Sequence, residues 1–414
     1  MNLSLLKKKI LIVVMDGLGD RGCKELDGLT PLQATETPNL DWFTKNGIAG
    51  TCDTVDIGIR PGSDTSHLSI LGYDPLEVYT GRGPFEAAGI GLIGRHGDVA
   101  LRCNFSTCDE NLNITDRRAG RIDKPDTTEL VRALKGIKID GIEAIIKEGT
   151  EHRAALILRG GGIDPDITDV DSHDNGPLAW SKGRTPEAQF TADVLNKYVK
   201  ETYERLKDHP VNKKRIEKGL LPANIIVPRG AGSFPAIQPF PEKYGMKAAC
   251  VAGVGMIKGI CGVCGLDVID LPSDCTGGCG SNFVSKAKVA METLKEYDFI
   301  LMNVKAPDVC GHDGDPKLKC SVIRRLDEMA GYFKDNFRDD MVIVFTADHS
   351  TPCSLKDHSG DPVPITVYTP GNVMDEAVKF SESGCSRGRI GRIRGKYILP
   401  MCMDLANRTE KFGA

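Results

Sequence analysis

Five short runs of apolar, mostly β-branched residues constrain this chain more than any other feature: Ile10–Met15, Ala248–Ala252, Phe299–Val304, Met341–Thr346 and Ile365–Tyr368. Runs of this length and composition, without polar alternation, read as buried parallel strands. Helical patterns lie between the later ones, over Asn282–Glu296 and Lys317–Phe337. Strands alternating with helices predict an α/β layered sheet. Ligands gather at the carboxyl ends of strands in such sheets. Asp16, Asp308 and Asp348 each stand just past one of these runs. They come from opposite ends of the sequence, yet one sheet edge can bring them together.

The middle of the chain carries a second set of elements: Glu129–Leu134, Ala154–Leu158, Ala188–Lys207 and Ile225–Val227. Gly81–Gly83 and Pro235–Pro241 look like its connections. The economical reading is one domain built from residues 1–75 and 247–414, with a smaller α/β domain, residues 76–246, inserted. A chain of 414 residues exceeds one ordinary core, which also argues for two domains.

Composition narrows the functional classes. A net charge of −4 gives no general attraction to nucleic acid, so an anionic ligand needs a local basic site. The apolar run after Lys7–Lys9 is too short for a signal-peptide core, and no stretch approaches a membrane span. The expectation is a cytoplasmic protein without membrane partners. Fourteen scattered cysteines fit free thiols in a reducing compartment. Cys261, Cys264, Cys275 and Cys279 form C-x2-C and C-x3-C pairs, a spacing that a structural zinc site also uses.

Two segments concentrate metal-ligating residue types. In VKAPDVCGHDGD, Asp308 and His312 are four apart, which places both on one side of a helical turn. In FTADHST, Asp348 and His349 are adjacent at a strand end and point to opposite sides, as suits a pair that touches two ions. His358 follows nine residues after His349. A lone Asp–His pair is usually a surface or capping feature; the set together points to divalent-ion chemistry.

Ser63, in RPGSDTSHL, opens a helical pattern that runs from Asp64 to Leu71. A serine there is either an N-cap or a nucleophile at a helix N-terminus that favours phosphate. His67, one turn on, either packs in the helix or touches the site. Asp116-Arg117-Arg118-Ala119-Gly120-Arg121 crowds three arginines into one loop, and Arg153, Arg159 and Arg229 flank later strands. Arginine suits phosphate and carboxylate, although charge-rich loops are often only solvated surface.

The motifs MDGLGD, PGSDTSHLSILGYDP, KAPDVCGHDGD, TADHSTP and HSGDPVPITVY resemble those of the alkaline-phosphatase superfamily in its phosphoglycerate-mutase branch. ITDRRAGRI and EHRAALILRG resemble its archaeal-type cofactor-independent mutases, and the likeness covers nearly the whole chain in the same order. It implies an alkaline-phosphatase-like fold and interconversion of 3- and 2-phosphoglycerate through a phosphoserine on Ser63, without 2,3-bisphosphoglycerate. It implies two divalent ions, usually manganese or zinc, with magnesium or cobalt as alternatives. Asp308, His312 and His358 match the ligands of one ion. Asp16, Asp348, His349 and Ser63 match those of the other. Asp116 is the candidate base for the glycerate hydroxyls, with Arg117, Arg118, Arg121, Arg153 and Arg229 as substrate contacts. Lys243 resembles a lysine that contacts the transferring phosphoryl group. VDSHDNG around His173 and CTGGCGSN at 275–282 depart from the family pattern, which leaves substrate identity more open than the chemistry. The rival readings are a phosphotransferase or phosphohydrolase for another small phosphate ester, homoserine kinase-like for instance, and a non-catalytic metal-binding relative.

Overall fold

The computed structural model describes residues 6–413, so the first five residues of the leader reading lie outside it. The described chain forms two compact units. One is built from both chain ends, up to Val78 and from Gln238 onward; the other is Tyr79–Ile237.

Among the described residues, the first unit holds an eight-stranded sheet. At its centre Lys9–Met15 lies between Phe299–Val304 and Met341–Thr346, parallel to both. Ile10 to Met15 are wholly buried, as expected of a central strand covered on both faces. Register decides where the functional residues meet. Met15 pairs with Val304 and Val14 with Thr346, so the three strands end level. Asp16, Lys305 and Ala347 therefore begin their connections side by side.

Val363–Tyr368 is a buried strand, but it runs antiparallel to its neighbours Met341–Thr346 and Ile48–Asp53. The parallel reading of this run is corrected. A parallel return needs a crossover, usually a helix. The connection here has no helix and carries Asp348, His349 and His358 instead. The predicted helices appear as Phe283–Thr293, capped by the Asn282 side chain, and Pro316–Asp335, capped by Asp315. The Pro235–Pro241 stretch is not wholly a connection. Phe240–Tyr244 is a short helix whose Phe240 ring packs 4.6 Å from Phe299, which ties it to the first unit.

The second unit carries a seven-stranded sheet among the described residues, antiparallel in each pairing. Val99–Cys108 lies between Arg153–Arg159 and Ile225–Ser233. Alternation along it sends Val99, Leu101, Cys103 and Phe105 into a core shared with the helices Lys124–Leu134 and Gln189–Leu206. Arg102 and Asn104 consequently face the other way. The mixed α/β fold read from the sequence is the one observed.

Candidate metal centre and anion-binding face

Asp308, His312 and His358 converge in the first unit. Asp308 Oδ1 lies 3.4 Å from His312 Nε2 and 3.5 Å from His358 Nε2, and the two imidazole nitrogens are 3.3 Å apart. Asp308 and His312 share one side of the helix Ala306–Asp313, as their spacing predicted. His358 Nδ1 contacts the Pro61 carbonyl at 2.8 Å, and His312 Nδ1 the Lys356 carbonyl at 3.0 Å. A carbonyl only accepts, so each ring donates from Nδ1 and turns Nε2 toward Asp308.

Asp16, Asp348 and His349 form a second group, all wholly or almost wholly buried. His349 Nε2 lies 3.2 Å from Asp348 Oδ2 and 3.7 Å from Asp16 Oδ1. Its ring also stacks on His358 with centroids 3.6 Å apart, and its ligand atoms fall within reach of Asp308 and His358. His349 thus touches both groups. Asp348 Oδ1 is occupied by the backbone N–H groups of Gly17 and His349. Asp348 Oδ2 is buried with no hydrogen-bond donor. A buried carboxylate oxygen in that state is costly, and a cation is the partner that remedies it. Two clusters of carboxylate oxygen and imidazole nitrogen, one with an orphaned anionic oxygen, fit divalent metal ions.

Electrostatics point the same way. Burial and Asp348 push the Asp16 carboxyl above its ordinary value, against the pull of Lys305. Burial, with the His358 ring beside it, takes the His349 imidazole down to about 3 despite the nearby Asp16 and Asp308. Burial also acts to raise Asp308, but the His358 hydrogen bond and the charges of Lys305 and His349 outweigh it and hold this carboxyl below the usual range. Lys305 opposes its own burial because Asp16, Asp308 and Asp348 surround it, so its ammonium stays charged.

Ser63 is the first residue of the helix Ser63–Ile70, and Gly62 occupies the N-cap position. Its hydroxyl is therefore not a cap. Ser63 Oγ lies 3.1 Å from His349 Nε2 and 3.3 Å from Lys305 Nζ. It sits at a helix N-terminus, where backbone N–H groups favour an incoming phosphate. His67 does reach the site: Nδ1 contacts the Ser63 carbonyl at 2.7 Å, and Nε2 lies 3.2 Å from Asn303 Nδ2. Asn303 in turn donates to Asp16 Oδ2 at 2.9 Å. Lys305 bridges Asp16 Oδ1 and Asp308 Oδ2, each at 2.8 Å. Sequence reasoning missed Asn303 and Lys305, although their position at the end of a buried strand was a usable signal.

Lys243 is placed elsewhere. Its ammonium donates to the Gly72 carbonyl and stands over the Tyr73 and Tyr244 rings at 4.2 Å and 5.0 Å. The four spaced cysteines do not share a centre. Cys261 pairs with Cys250, while Cys279 Sγ lies 3.5 Å from Cys310 Sγ. Among the described residues, the groups able to hold a metal contain Asp and His only.

In the second unit, Arg102 pairs across strands with Arg229, and Asn104 with Arg153. These four share the sheet face opposite the core. Arg102 Nε, Arg229 Nε and Asn104 Oδ1 are buried without hydrogen-bond partners. Burial, with the neighbouring Arg229, Arg82 and Arg153 outweighing Glu86, takes Arg102 down to about 10. Burial depresses the His152 imidazole, and Arg153, then Arg118 and Arg121, add to it. Arg229 Nε stands 3.5 Å from Asp171 Oδ2 and Arg102 3.6 Å from Glu86, so this crowd of cations is only partly neutralised, which suits an anion. Arg117 is committed differently, to a bidentate pair with the buried Asp171 at 3.1 Å and 2.7 Å. Arg159 is likewise paired with Asp98. Asp116 Oδ1 accepts from the Arg118 and Gly120 N–H groups, which shapes the arginine loop. The divergent VDSHDNG segment supplies Asp171 and also His173, whose Nδ1 lies 3.2 Å from Arg229.

Residues 44–212 match the family model described as 2,3-bisphosphoglycerate-independent phosphoglycerate mutase. A protein of that name from Methanocaldococcus jannaschii is 48% identical over 416 residues, covering 99% of this chain and 100% of its own length. A solved structure of a Pyrococcus horikoshii protein is 39% identical with a TM-score of 0.85, covering 99% of this chain and 100% of its own. The cofactor-independent phosphoglycerate mutase from Thermoplasma acidophilum is 39% identical with a TM-score of 0.73, covering 96% of this chain and 100% of its own.

Proposed function

Since the chain belongs to the 2,3-bisphosphoglycerate-independent phosphoglycerate mutase family, we propose that it interconverts 3-phosphoglycerate and 2-phosphoglycerate, a step of glycolysis and gluconeogenesis. The observation that carries the reading is the setting of Ser63. It is a buried serine at a helix N-terminus, within 3.3 Å of Lys305 and beside two ligand groups.

Asp308, His312 and His358 would hold one divalent ion, and Asp16, Asp348, His349 and Ser63 the other, manganese or zinc in preference to magnesium or cobalt. When bound, such ions lower the pKa of a coordinated hydroxyl and offset charge on the oxygens of an in-line phosphoryl transfer. Ser63 gives up its hydroxyl proton to solvent and Oγ forms a bond to phosphorus as the bond to the glycerate oxygen breaks, that oxygen taking up a proton to become a hydroxyl. The serine ester then returns the phosphoryl group to the other glycerate hydroxyl, and Ser63 is regenerated. Lys305 supplies fixed positive charge beside Ser63 throughout. The arginine face of the second unit takes the carboxylate of the substrate through Arg118, Arg121, Arg153 and Arg229, with Arg117 holding the loop in shape. Asp116 is assigned the proton of the glycerate hydroxyl. The reaction needs no bisphosphoglycerate, because the phosphoryl group is stored on the protein. No helix of the described residues is long and apolar enough to cross a membrane, and we place the enzyme in the cytoplasm.

The test couples turnover of 3-phosphoglycerate to enolase with manganese present and no bisphosphoglycerate. Steady product formation, abolished by a chelator and restored by metal, is the expected result. A requirement for bisphosphoglycerate, or full turnover of the metal-free protein, contradicts the assignment.

A further inference from the structure

We propose that Thr351 is a positioning residue that couples the two ligand groups through one hydroxyl, orienting Asp308 and fixing the tautomer of His349; this rests on the metal reading above. Thr351 is wholly buried on the connection that follows Met341–Thr346. Its Oγ1 lies 2.7 Å from Asp308 Oδ1 and 3.0 Å from His349 Nδ1. A hydroxyl has one proton to donate and lone pairs to accept with. Asp308 as a carboxylate only accepts, so the Thr351 proton goes to Asp308. The same oxygen must then accept from His349. A ligating histidine is a neutral imidazole with one N–H, and that N–H is thereby fixed at Nδ1. Nε2 is left with its lone pair on the side of Ser63, Asp348 and Asp16.

His312 and His358 place their Nδ1 protons on backbone carbonyls. His349 differs from them, because its partner is a side chain whose only proton is already committed to a ligand of the other group. One hydroxyl therefore orders both groups, and its loss reaches both. Turning His349 to the other tautomer would put N–H where the lone pair must be, and Asp308 would lose a buried donor.

The packing around Thr351 holds this hydroxyl in place. Gly17 has φ +66, and a Cβ there would stand 2.7 Å from Thr351 Oγ1 and 2.5 Å from the Asp308 backbone. At Gly311, one residue before His312, a Cβ would stand 2.2 Å from the Thr351 carbonyl oxygen and 2.7 Å from its Cγ2. Two glycines thus make the room that Thr351 fills. The Thr351 N–H donates to the Gly19 carbonyl at 3.0 Å. Its carbonyl accepts at 3.0 Å from the buried Lys319, which also holds Gly19 and Asp20. The connections after Lys9–Met15 and Met341–Thr346, bearing Asp16 and Asp348, are tied together at this residue.

Titrate manganese into the full-length protein and its Thr351→Val and Thr351→Ser variants by calorimetry, with thermal unfolding of each alongside. Valine keeps the methyl and loses the hydroxyl; serine does the reverse. The expected result is a loss of about 10- to 100-fold in manganese affinity at both sites for Thr351→Val, the range for outer-shell partners, with Thr351→Ser within a few-fold of the parent. A packing role alone gives the opposite ranking, with serine the weaker, and overturns the proposal. So does Thr351→Val with unchanged affinity. If the valine chain does not fold, Thr351→Ser against Thr351→Ala reads the same contrast, since these differ in the hydroxyl alone. A parent protein that binds no manganese overturns the metal reading itself, an outcome distinct from manganese binding that ignores the hydroxyl.

Discussion

The metal centre and the arginine face handle charge in opposite ways. In the first unit Asp16, Asp348 and His349 are at most 1% exposed, and their positions are set by strands that end in register. In the second unit Arg102 and Arg229 are half-buried on the sheet face opposite the core, while Arg118, Arg121 and Arg153 are exposed. A group that must stabilise developing charge gains from preorganisation in a dry site. A group that grips a substrate through exchange and reorientation gains from side chains that remain solvated until used. The difference teaches that ligand changes in the first unit should be all-or-none, while changes in the second should be graded.

The largest effect is expected at Asp308. Asp308→Ala removes the Oδ1 shared by His312, His358 and Thr351 and the Oδ2 paired with Lys305. One bound ion should be lost, with turnover down more than about 100-fold, beyond what outer-shell changes give. Metal analysis with the coupled assay checks this. Retention of both ions would show that the first unit is as forgiving as the second.

Graded effects are expected from the arginines. Arg153→Ala should weaken kcat/KM by roughly 10- to 150-fold, the worth of a charged hydrogen bond of about 1.5–3 kcal/mol, with metal content unchanged. Arg117→Ala should act mainly on folding, because it strips the buried Asp171 of its bidentate partner; breaking such a pair costs about 3 kcal/mol. Denaturant unfolding beside steady-state kinetics separates the two. If Arg117→Ala changes kinetics alone, the division between gripping and shaping arginines is wrong.

The smallest effect is a pH dependence in the second unit. Burial, then Arg153, Arg118 and Arg121 against Glu151, takes the His152 imidazole down to about 4. The ordinary value is about 6.5. Between these the unfolded chain binds a proton that the folded chain refuses, so stability is full above about pH 6.5 and falls as pH drops toward 4. His152→Asn should flatten that decline relative to the parent, measured as Tm against pH. Parallel curves for the two proteins would remove His152 as a cause.

How much of this was legible in the sequence follows the same division. Asp16, Asp308, His312, Asp348 and His349 lie in short polar segments directly after apolar runs, where chain position and chemistry coincide, and Ser63 and His358 stand in the motifs RPGSDTSHL and HSGDPVPITVY. Lys305 and Thr351 lie inside these motifs and Asn303 inside an apolar run, yet none carries a signal of its own, because their work depends on contacts made across strands. Arg102 and Asn104 gave less signal still: a polar residue alternating with apolar ones along a strand reads as a solvent-facing position, and its pairing with Arg229 or Arg153 exists only once the sheet is formed. The antiparallel turn of Val363–Tyr368 was hidden for a related reason. A buried strand has the same composition in either direction, and the missing crossover helix was the clue.

The central claim is that the phosphoryl group waits on Ser63 and returns to the same glycerate. It is tested most directly with 3-phosphoglycerate labelled in both carbon and phosphate, mixed with unlabelled substrate in the presence of manganese, and product followed by mass spectrometry. The two labels should stay together in 2-phosphoglycerate, with no bisphosphoglycerate added, and Ser63→Ala should abolish turnover. Labels scrambled between molecules, or a Ser63→Ala protein of full activity, would contradict the account.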